Sequence, residues 1–264
     1  NEDYVDTVDL EKLKEEAVIA MLENLDPHSQ YFSAEELKDI NESLQGNFEG
    51  IGIEFRIIKD TIVILNVIQG GPSERSGLKA GDRIVFVDDS TFTGPDLNNS
   101  IAVKHLKGQK GSEVKIGILR PGIQDIIDFS IIRDVIPLYS IDVSYLAGNN
   151  IGYIKLSRFS ATTVTEFKAA MNKLIDEGMQ KLILDLRGNS GGYLQAAVRL
   201  ADEFLEEDKL IVYTEGHNRP RQFAYASRRG SFENHEVVVL IDEGSASASE
   251  IVAGALQDND RGTI

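Results

Sequence analysis

Cysteine is absent from the 264-residue sequence, and basic residues are scarce. Without cysteine there can be no disulfide bond, no zinc site with cysteine ligands and no thiol catalysis. The absence of cysteine does not indicate whether the protein works in an oxidising or a reducing compartment. The 27 lysines and arginines are outnumbered by 43 aspartates and glutamates, which leaves a net charge of −16. Because binding to phosphate backbones needs clustered lysine and arginine, this balance argues against a nucleic-acid-binding protein.

Long hydrophobic runs are absent as well. No apolar stretch approaches the length of a membrane-spanning helix. The first residues, NEDYVDTVDLEKLKEE, are acidic and polar, so we expect no signal peptide in this sequence. The remaining composition, 42% hydrophobic and 27% charged, is typical of a globular protein, and the length predicts two or three domains.

The residue patterns predict a multidomain α/β protein with three parts. Residues 1–46 have apolar side chains at helical spacing and a Ser33-x-x-Glu36 capping box, which predicts a helical module. Residues 47–134 contain short β-branched runs separated by glycine, proline and aspartate, which predicts a β-rich domain. Its predicted elements are strands at Thr61–Val67, Asp82–Val87, Glu113–Leu119 and Asp125–Ile131, with a helix at Asp96–Leu106.

Residues 135–264 change to an alternation of strands and helices. Because the strands are almost continuously apolar, this pattern predicts an α/β core with buried strands. The predicted strands are Ile151–Leu156, Lys181–Leu186, Leu210–Thr214 and Val237–Ile241, and the predicted helices are Thr163–Ile175, Tyr193–Leu205 and Ala248–Leu256.

Glycines alternate with isoleucines at Gly50-Ile51-Gly52-Ile53, near the start of the β-rich part. The amides of such a turn can surround a terminal carboxylate, and Ile53 can begin a strand that pairs with an extended peptide. On the helix predicted nearby, Leu97 and Ile101, with Ala102, are candidates to line a side-chain pocket. A plain tight turn that needs glycine for steric reasons explains the same residues, because two glycines are a weak signal.

A glycine-rich loop follows a predicted buried strand in the segment LDLRGNSGG at residues 184–192. Loops of this kind direct backbone amides at an anion, which is either a phosphate or a reacting oxyanion. The phosphate-loop pattern GxxxxGK[ST] and the pattern GxGxxG are both missing. The alternative is a plain connection from strand to helix whose glycines permit close packing.

Three serines, Ser245, Ser247 and Ser249, lie between a predicted strand and a predicted helix. A serine at such a corner has free amides beside it, so the amide of Ala248 can stabilise an oxyanion. The structural alternative is that Ser247-x-x-Glu250 is a capping box, worth about 1 kcal/mol of helix stability. The two roles are compatible, and the GxSxG motif of familiar hydrolases is missing.

A nucleophilic serine also needs a base. None of the four histidines, His28, His105, His217 and His235, has a spacing that indicates a catalytic role. A lysine whose pKa is lowered by burial is the other option. No lysine follows the serine cluster before Ile264, so a Ser–Lys site would be incomplete in this sequence.

Taken together, these segments resemble the carboxyl-terminal processing, or tail-specific, serine proteases. One motif is similar to the family's N-terminal signature, a pair to its PDZ domain and two further motifs to its protease core. In chain order they are LDPHSQYF at 25–32, NFEGIGIEF at 47–55 with GGPSERSGLKAGDRIVFVD at 70–88, LILDLRGNSGG at 182–192, and GSASASEIVAGALQD at 244–258.

The resemblance implies a Ser–Lys endopeptidase with no cofactor and no metal. It makes residues 1–46 the N-terminal module, 47–134 the PDZ domain and 135–264 the protease core. Ser247 would be the nucleophile, and the oxyanion hole would combine the amide of Gly191 or Gly192 with that of Ala248. The carboxylate loop of the PDZ domain would be Gly50–Ile53.

The implied substrates are proteins or peptides with a free C-terminus, admitted by the PDZ domain, and the implied location is the periplasm or cell envelope. The family's catalytic lysine and its assisting glutamine fall beyond Ile264, so we expect the chain alone to be inactive. The sequence leaves a homo-oligomer open. Two other functions also fit the residues: a non-catalytic protein that binds C-terminal peptides, and an acyl-group enzyme that uses the glycine loop as its oxyanion hole.

Overall fold

The computed structural model describes residues 4–5, 7–26, 29–227 and 230–264, which fall into two compact units, 1–42 and 43–264. The motif at 25–32 includes Pro27 and His28, and these two lie outside the described residues. Helix α1 (Leu10–Leu22) begins after Asp9, whose carboxylate accepts hydrogen bonds from the amides of the first turn. Helix α2 (Ala34–Gln45) begins with the expected capping box, in which the Glu36 carboxylate accepts from the Ser33 amide at 2.8 Å.

The β-rich part of the second unit is an antiparallel sheet with the strand order β2-β3-β4-β6-β7, and β5 pairs with β4. Apolar residues at alternate positions form its core; strand β6, for example, buries Val114, Ile116 and Ile118. The elements are β2 (Ile53–Ile57), β3 (Ile62–Val67), α3 (Pro72–Ser76), β4 (Arg83–Val87), β5 (Ser90–Thr91), α4 (Asn99–Leu106), β6 (Glu113–Leu119) and β7 (Ile127–Ile132).

The α/β part is built on a four-stranded sheet with the order β14-β11-β10-β9, in which β9 alone runs antiparallel to its neighbour. Its core contains Phe159, Phe167, Phe204 and Phe232, all buried. The elements are β9 (Ile141–Leu146), β10 (Ile151–Leu156), α5 (Thr163–Asp176), β11 (Lys181–Asp185), α6 (Leu194–Asp202), β14 (Glu236–Leu240) and α7 (Ala248–Asp258), with a separate hairpin of β12 (Leu210–Gly216) and β13 (Arg219–Tyr225).

The mixed α/β architecture confirms the predicted fold class, with an antiparallel β-rich part and a parallel α/β part in one chain. A further strand pair joins β1 (Asn47–Gly50) to β8 (Asp134–Pro137), which are far apart in sequence. Because β11 and β14 are parallel neighbours, their carboxyl ends meet at one edge of the sheet, and the loops that follow them lie side by side. In the described part of the chain, no helix is both long and apolar enough to cross a membrane.

Candidate active site

The site lies where the serine loop, residues 241–247 after β14, meets the glycine loop, residues 186–193 after β11. Asp242 connects the two loops, because its Oδ1 accepts from the amide of Gly188 at 2.8 Å and from that of Gly244 at 3.0 Å. These hydrogen bonds lower the pKa of Asp242, led by the one from Gly188. The carboxylate therefore stays charged and holds the loops together at neutral pH.

Asn189 provides a second connection, from the interior. Its side chain is fully buried; Nδ2 donates to the carbonyl of Leu156 at 2.9 Å and Oδ1 accepts from the amide of Gly191 at 2.9 Å. Its own carbonyl accepts from the Ala246 amide at 3.1 Å and from Ser249 Oγ at 2.8 Å. One residue thus fixes the glycine loop, the serine loop and the end of β10 relative to one another.

Ser247 occupies a strained position directly before α7. Its φ of 54° and ψ of −111° lie outside the regions that non-glycine residues favour, and such strain is concentrated at functional sites. Glu250 stabilises the corner by accepting a hydrogen bond from the Ser247 amide at 2.6 Å, which is the glutamate half of the predicted capping box. Ser247 also lines an open cleft of about 660 Å³.

The other two serines of the cluster have structural contacts. Ser245 Oγ donates to the carbonyl of Leu186 at 2.8 Å, and it also accepts from the amide of Asp242 at 3.0 Å. Ser249 is fully buried and donates to Asn189. Neither serine lines the cleft, so Ser247 is the one serine of the cluster that faces it.

The glycine loop packs against Ser247 and Ala248 so closely that a side chain at Gly191 would collide with them. A Cβ at Gly191 would lie 2.8 Å from Ser247 Cβ and 2.9 Å from the amide nitrogen of Ala248. At Gly192 a Cβ would lie 2.0 Å from the carbonyl oxygen of Phe159. Both glycines also have φ in the left-handed region, 105° and 143°.

The three amides at this contact differ in their hydrogen bonds. The Gly191 amide donates to Asn189, whereas those of Gly192 and Ala248 have no acceptor among the described residues. The Phe159 amide donates to the carbonyl of Gly191, and the Phe159 carbonyl accepts from the amide of Tyr193. The Gly192 amide, which lies between these two bonds, therefore points away from Phe159. Of the two glycines that the sequence left open, Gly192 is therefore the one with an available donor.

A charged cluster lies at the base of the glycine loop, around Asp185 at the end of β11. Asp185 is 1% exposed and accepts from Arg187 at 2.7 and 3.0 Å, from Tyr153 Oη at 2.5 Å and from Lys155 Nζ at 3.4 Å. Burial alone would raise the pKa of Asp185, but the hydrogen bonds from Arg187 and Tyr153 outweigh it and hold the pKa well below its usual range. The cluster anchors the point at which the loop leaves the sheet.

The cleft beside Ser247 runs between β12 and α7. No lysine or histidine lines it among the described residues. Its lining consists of Leu210, Ile211, Val212, Tyr213, Ser247, Glu250, Ile251, Gly254, Ala255, Asp258 and Asn259. His105 and His235 instead pack against Phe92 and Phe232, and the described part of the chain holds no cluster of side chains suited to a metal ion.

A second, smaller groove of about 110 Å³ lies in the β-rich part, beside the edge strand β2. Gly52 has a φ of 75° there, and a Cβ would lie 2.9 Å from Ile136 Cδ1, so the turn requires glycine. The lining residues are Phe48, Ile51, Gly52, Ile53, Phe55, Val103, Leu106 and Lys107.

The helix side of this groove differs from the one expected. Leu97 precedes α4 and packs on the core, and Ile101 is 36% exposed; neither lines the groove. Val103, Leu106 and Lys107 line it instead, at the i, i+3, i+4 spacing of one helical face. That spacing was readable in the sequence and identifies the face that the choice of Leu97 and Ile101 missed.

Comparison with known proteins finds two family profiles and several relatives that are similar to this chain. The profile of Peptidase family S41 matches residues 150–264, and that of the PDZ domain matches residues 50–130. The chain is 38% identical over 259 residues to the carboxy-terminal processing protease CtpB of Bacillus subtilis, covering 97% of this chain and 53% of that protein. It is 37% identical to a carboxy-terminal-processing protease of Bartonella bacilliformis, covering 99% of this chain and 60% of the relative.

A solved structure is also similar to this chain along almost its whole length. The photosystem II D1 C-terminal processing protease has a TM-score of 0.51 to this chain at 26% identity, covering 98% of this chain and 70% of that one. The chain spans between half and two thirds of the length of the two curated relatives described above.

Proposed function

Because the chain matches the profiles of Peptidase family S41 and of the PDZ domain and is similar along nearly its whole length to carboxy-terminal processing proteases, we propose that it belongs to that family and is a serine endopeptidase acting near protein C-termini. Ser247 is the nucleophile. One observation carries this choice: Ser247 faces an open cleft, whereas its two neighbouring serines are held by structural hydrogen bonds. Its strained backbone agrees with a functional position.

In the proposed reaction, Ser247 Oγ attacks the scissile carbonyl carbon and transfers its proton to a neutral base. The tetrahedral oxyanion accepts hydrogen bonds from the amides of Gly192 and Ala248, which have no other acceptor among the described residues. The intermediate collapses when the C–N bond breaks and the base returns the proton to the amine. Water then hydrolyses the acyl-enzyme by the same sequence of steps.

The base is proposed to be a lysine supplied by sequence outside residues 1–264. No lysine or histidine among the described residues lines the cleft, and a lysine can act as a base when burial lowers its pKa. On this proposal the chain by itself is inactive. We place the protein in the periplasm or cell envelope, as the resemblance implies, and cell fractionation would test that.

The β-rich part is proposed to select the substrate tail. Strand β2 is at the edge of its sheet, so its free side can pair with an extended peptide in the groove. The turn Gly50–Ile53 would hold the terminal carboxylate, and the apolar face of Val103 and Leu106 would hold a side chain. Occupation of the groove would then control access to Ser247.

The test is cleavage of unstructured proteins by the full-length protein and by its Ser247→Ala form. We expect Ser247→Ala to lose activity by a factor of about 10³ or more, because the nucleophile is removed. Ser245→Ala is the matched control: it removes a turn hydrogen bond nearby, so it should lower stability by about 1 kcal/mol and still cleave. Undiminished cleavage by Ser247→Ala would reject the proposal.

A second candidate function is a non-catalytic protein that binds C-terminal peptides. The groove beside β2 is the observation that favours it. It predicts tight binding of peptides with a free C-terminus and no cleavage by the full-length protein. Affinity should fall when the peptide is amidated, and equal affinity would remove carboxylate recognition from both candidates.

A further inference from the structure

Gly254 has no structural reason to be glycine within the described chain. It lies inside α7, where glycine is less favourable than alanine. A Cβ added there would have no described atom within 4 Å outside its own stretch of helix. Its φ is not positive, unlike those of Gly191 and Gly192. The chain therefore accepts a destabilising residue at a position where its own atoms would admit a larger one.

The position faces the same cleft as Ser247. Gly254 and Ser247 both line it, with Ile211, Ile251 and Ala255 as apolar neighbours. The two residues are seven apart along α7, which is about 10 Å at a rise of about 1.5 Å per residue. An extended peptide covers that distance with about three residues.

On the basis of the proposed function, we propose that the space beside Gly254, where a side chain is missing, is a substrate subsite. The subsite receives a bulky apolar side chain of the substrate, about three residues from the scissile bond. The apolar walls favour burial of such a group. The carboxylates of Glu250 and Asp258 on the same side of the cleft disfavour an acidic side chain there.

The experiment uses the full-length protein and an unstructured peptide cleaved at a single bond. Phe, Leu, Ala, Gly and Asp are placed in turn at each position from four residues before that bond to four after it. The wild type is compared with Gly254→Leu, which fills the space, and with Gln257→Leu. The latter adds the same group to an exposed position of α7 outside the lining of the cleft.

At one position about three residues from the bond, Gly254→Leu should lower kcat/KM for Phe and Leu by a factor of about 10 to 100. For Ala and Gly at that position it should change kcat/KM by less than about threefold, and Gln257→Leu should leave the profile unchanged. An equal loss for every peptide, or an unchanged profile, would overturn the subsite. Ser247→Ala, run in parallel, reports separately on the proposed function.

Melting temperatures distinguish a substrate subsite from a space that another segment of the protein fills. If Gly254→Ala and Gly254→Leu both lower the melting temperature, the protein itself packs on Gly254, and the subsite is overturned. If Gly254→Leu alone unfolds, Gly254→Ala is assayed on the same peptides. A selective loss of about threefold for Phe would support the subsite, and no selective loss would overturn it.

Discussion

The glycines of the glycine loop and the glycine inside α7 differ in whether the backbone around them requires glycine. Gly191 and Gly192 have positive φ, and a Cβ at either would collide with neighbouring backbone. Gly254, in α7, has an ordinary helical backbone and open space around it. In the glycine loop the fold requires glycine, whereas at position 254 nothing in the described chain requires it. The two cases give opposite expectations for the same substitution, glycine to alanine.

The largest effect is expected for Gly192→Ala. The new Cβ would lie 2.0 Å from the Phe159 carbonyl oxygen, so the bridge between these residues must open. We expect a loss of about 3 kcal/mol or more in the free energy of unfolding, with loss of cleavage. Urea denaturation measures the loss in the free energy of unfolding. Wild-type stability in this variant would show that the loop is not as tightly constrained as its geometry indicates.

The charged cluster under the loop should make stability depend on acid. The pKa of Asp185 is lowered in the folded protein, so its contribution is present above about pH 4 and is lost as the pH falls towards the folded value. Asp185→Asn should cost about 2 kcal/mol at pH 7, because Arg187, half-exposed, loses its buried partner. Urea unfolding from pH 7 to pH 3 should show a shallower acid limb for the variant; parallel limbs would contradict the assignment.

Ser247→Gly should raise stability while removing activity. Its φ of 54° is a strained conformation for serine that glycine adopts freely, so we expect a gain of about 1 kcal/mol. Ser247→Ala keeps the Cβ and serves as the control, with little change in stability. A gain in both variants, or in neither, would show that backbone strain at this corner is small.

The smallest effect is expected for Gly254→Ala. Open space and a helical backbone predict a gain of about 0.5 to 1 kcal/mol from helix propensity alone. Gly191→Ala is the direct contrast, since its Cβ would lie within 3.0 Å of Ser247 and Ala248 and should destabilise. The thermal unfolding of both variants measures the difference, and the same sign for both would remove the distinction between the two kinds of glycine.

Strongly patterned elements could be predicted from the sequence. Strands β6 and β10 have the predicted bounds, because β-branched runs there end at clear turn residues. The sequence patterns do not predict strands β1, β5, β8, β9 and β13. Strand β13 contains Pro220 and is mostly exposed, as an edge strand can be, so its residues lack an apolar pattern. Strands β1 and β8 pair across a long separation that no local pattern reports.

For the site, the sequence identified the loops but not how they connect. The strand-to-helix corners predicted amides near Ser247. The choice between Gly191 and Gly192 needed the structure, because it depends on which of the two amides donates its hydrogen bond to Asn189. Asn189 and Asp242 were not singled out, because their hydrogen bonds cross between separate segments. Gly254 also carried no signal, since a helical glycine becomes informative only when its surroundings are known.

The pairing of β1 with β8 has a consequence for engineering. The chain enters the β-rich part after Gly50 and leaves it before Asp134, and these two residues are direct partners in the ladder. Their Cα atoms are therefore about 5 Å apart, a distance that a short turn can span. The segment between these two residues therefore begins and ends at neighbouring points of the structure. Replacing it with a two-residue hairpin, or with the corresponding domain of a relative, should leave the α/β part intact.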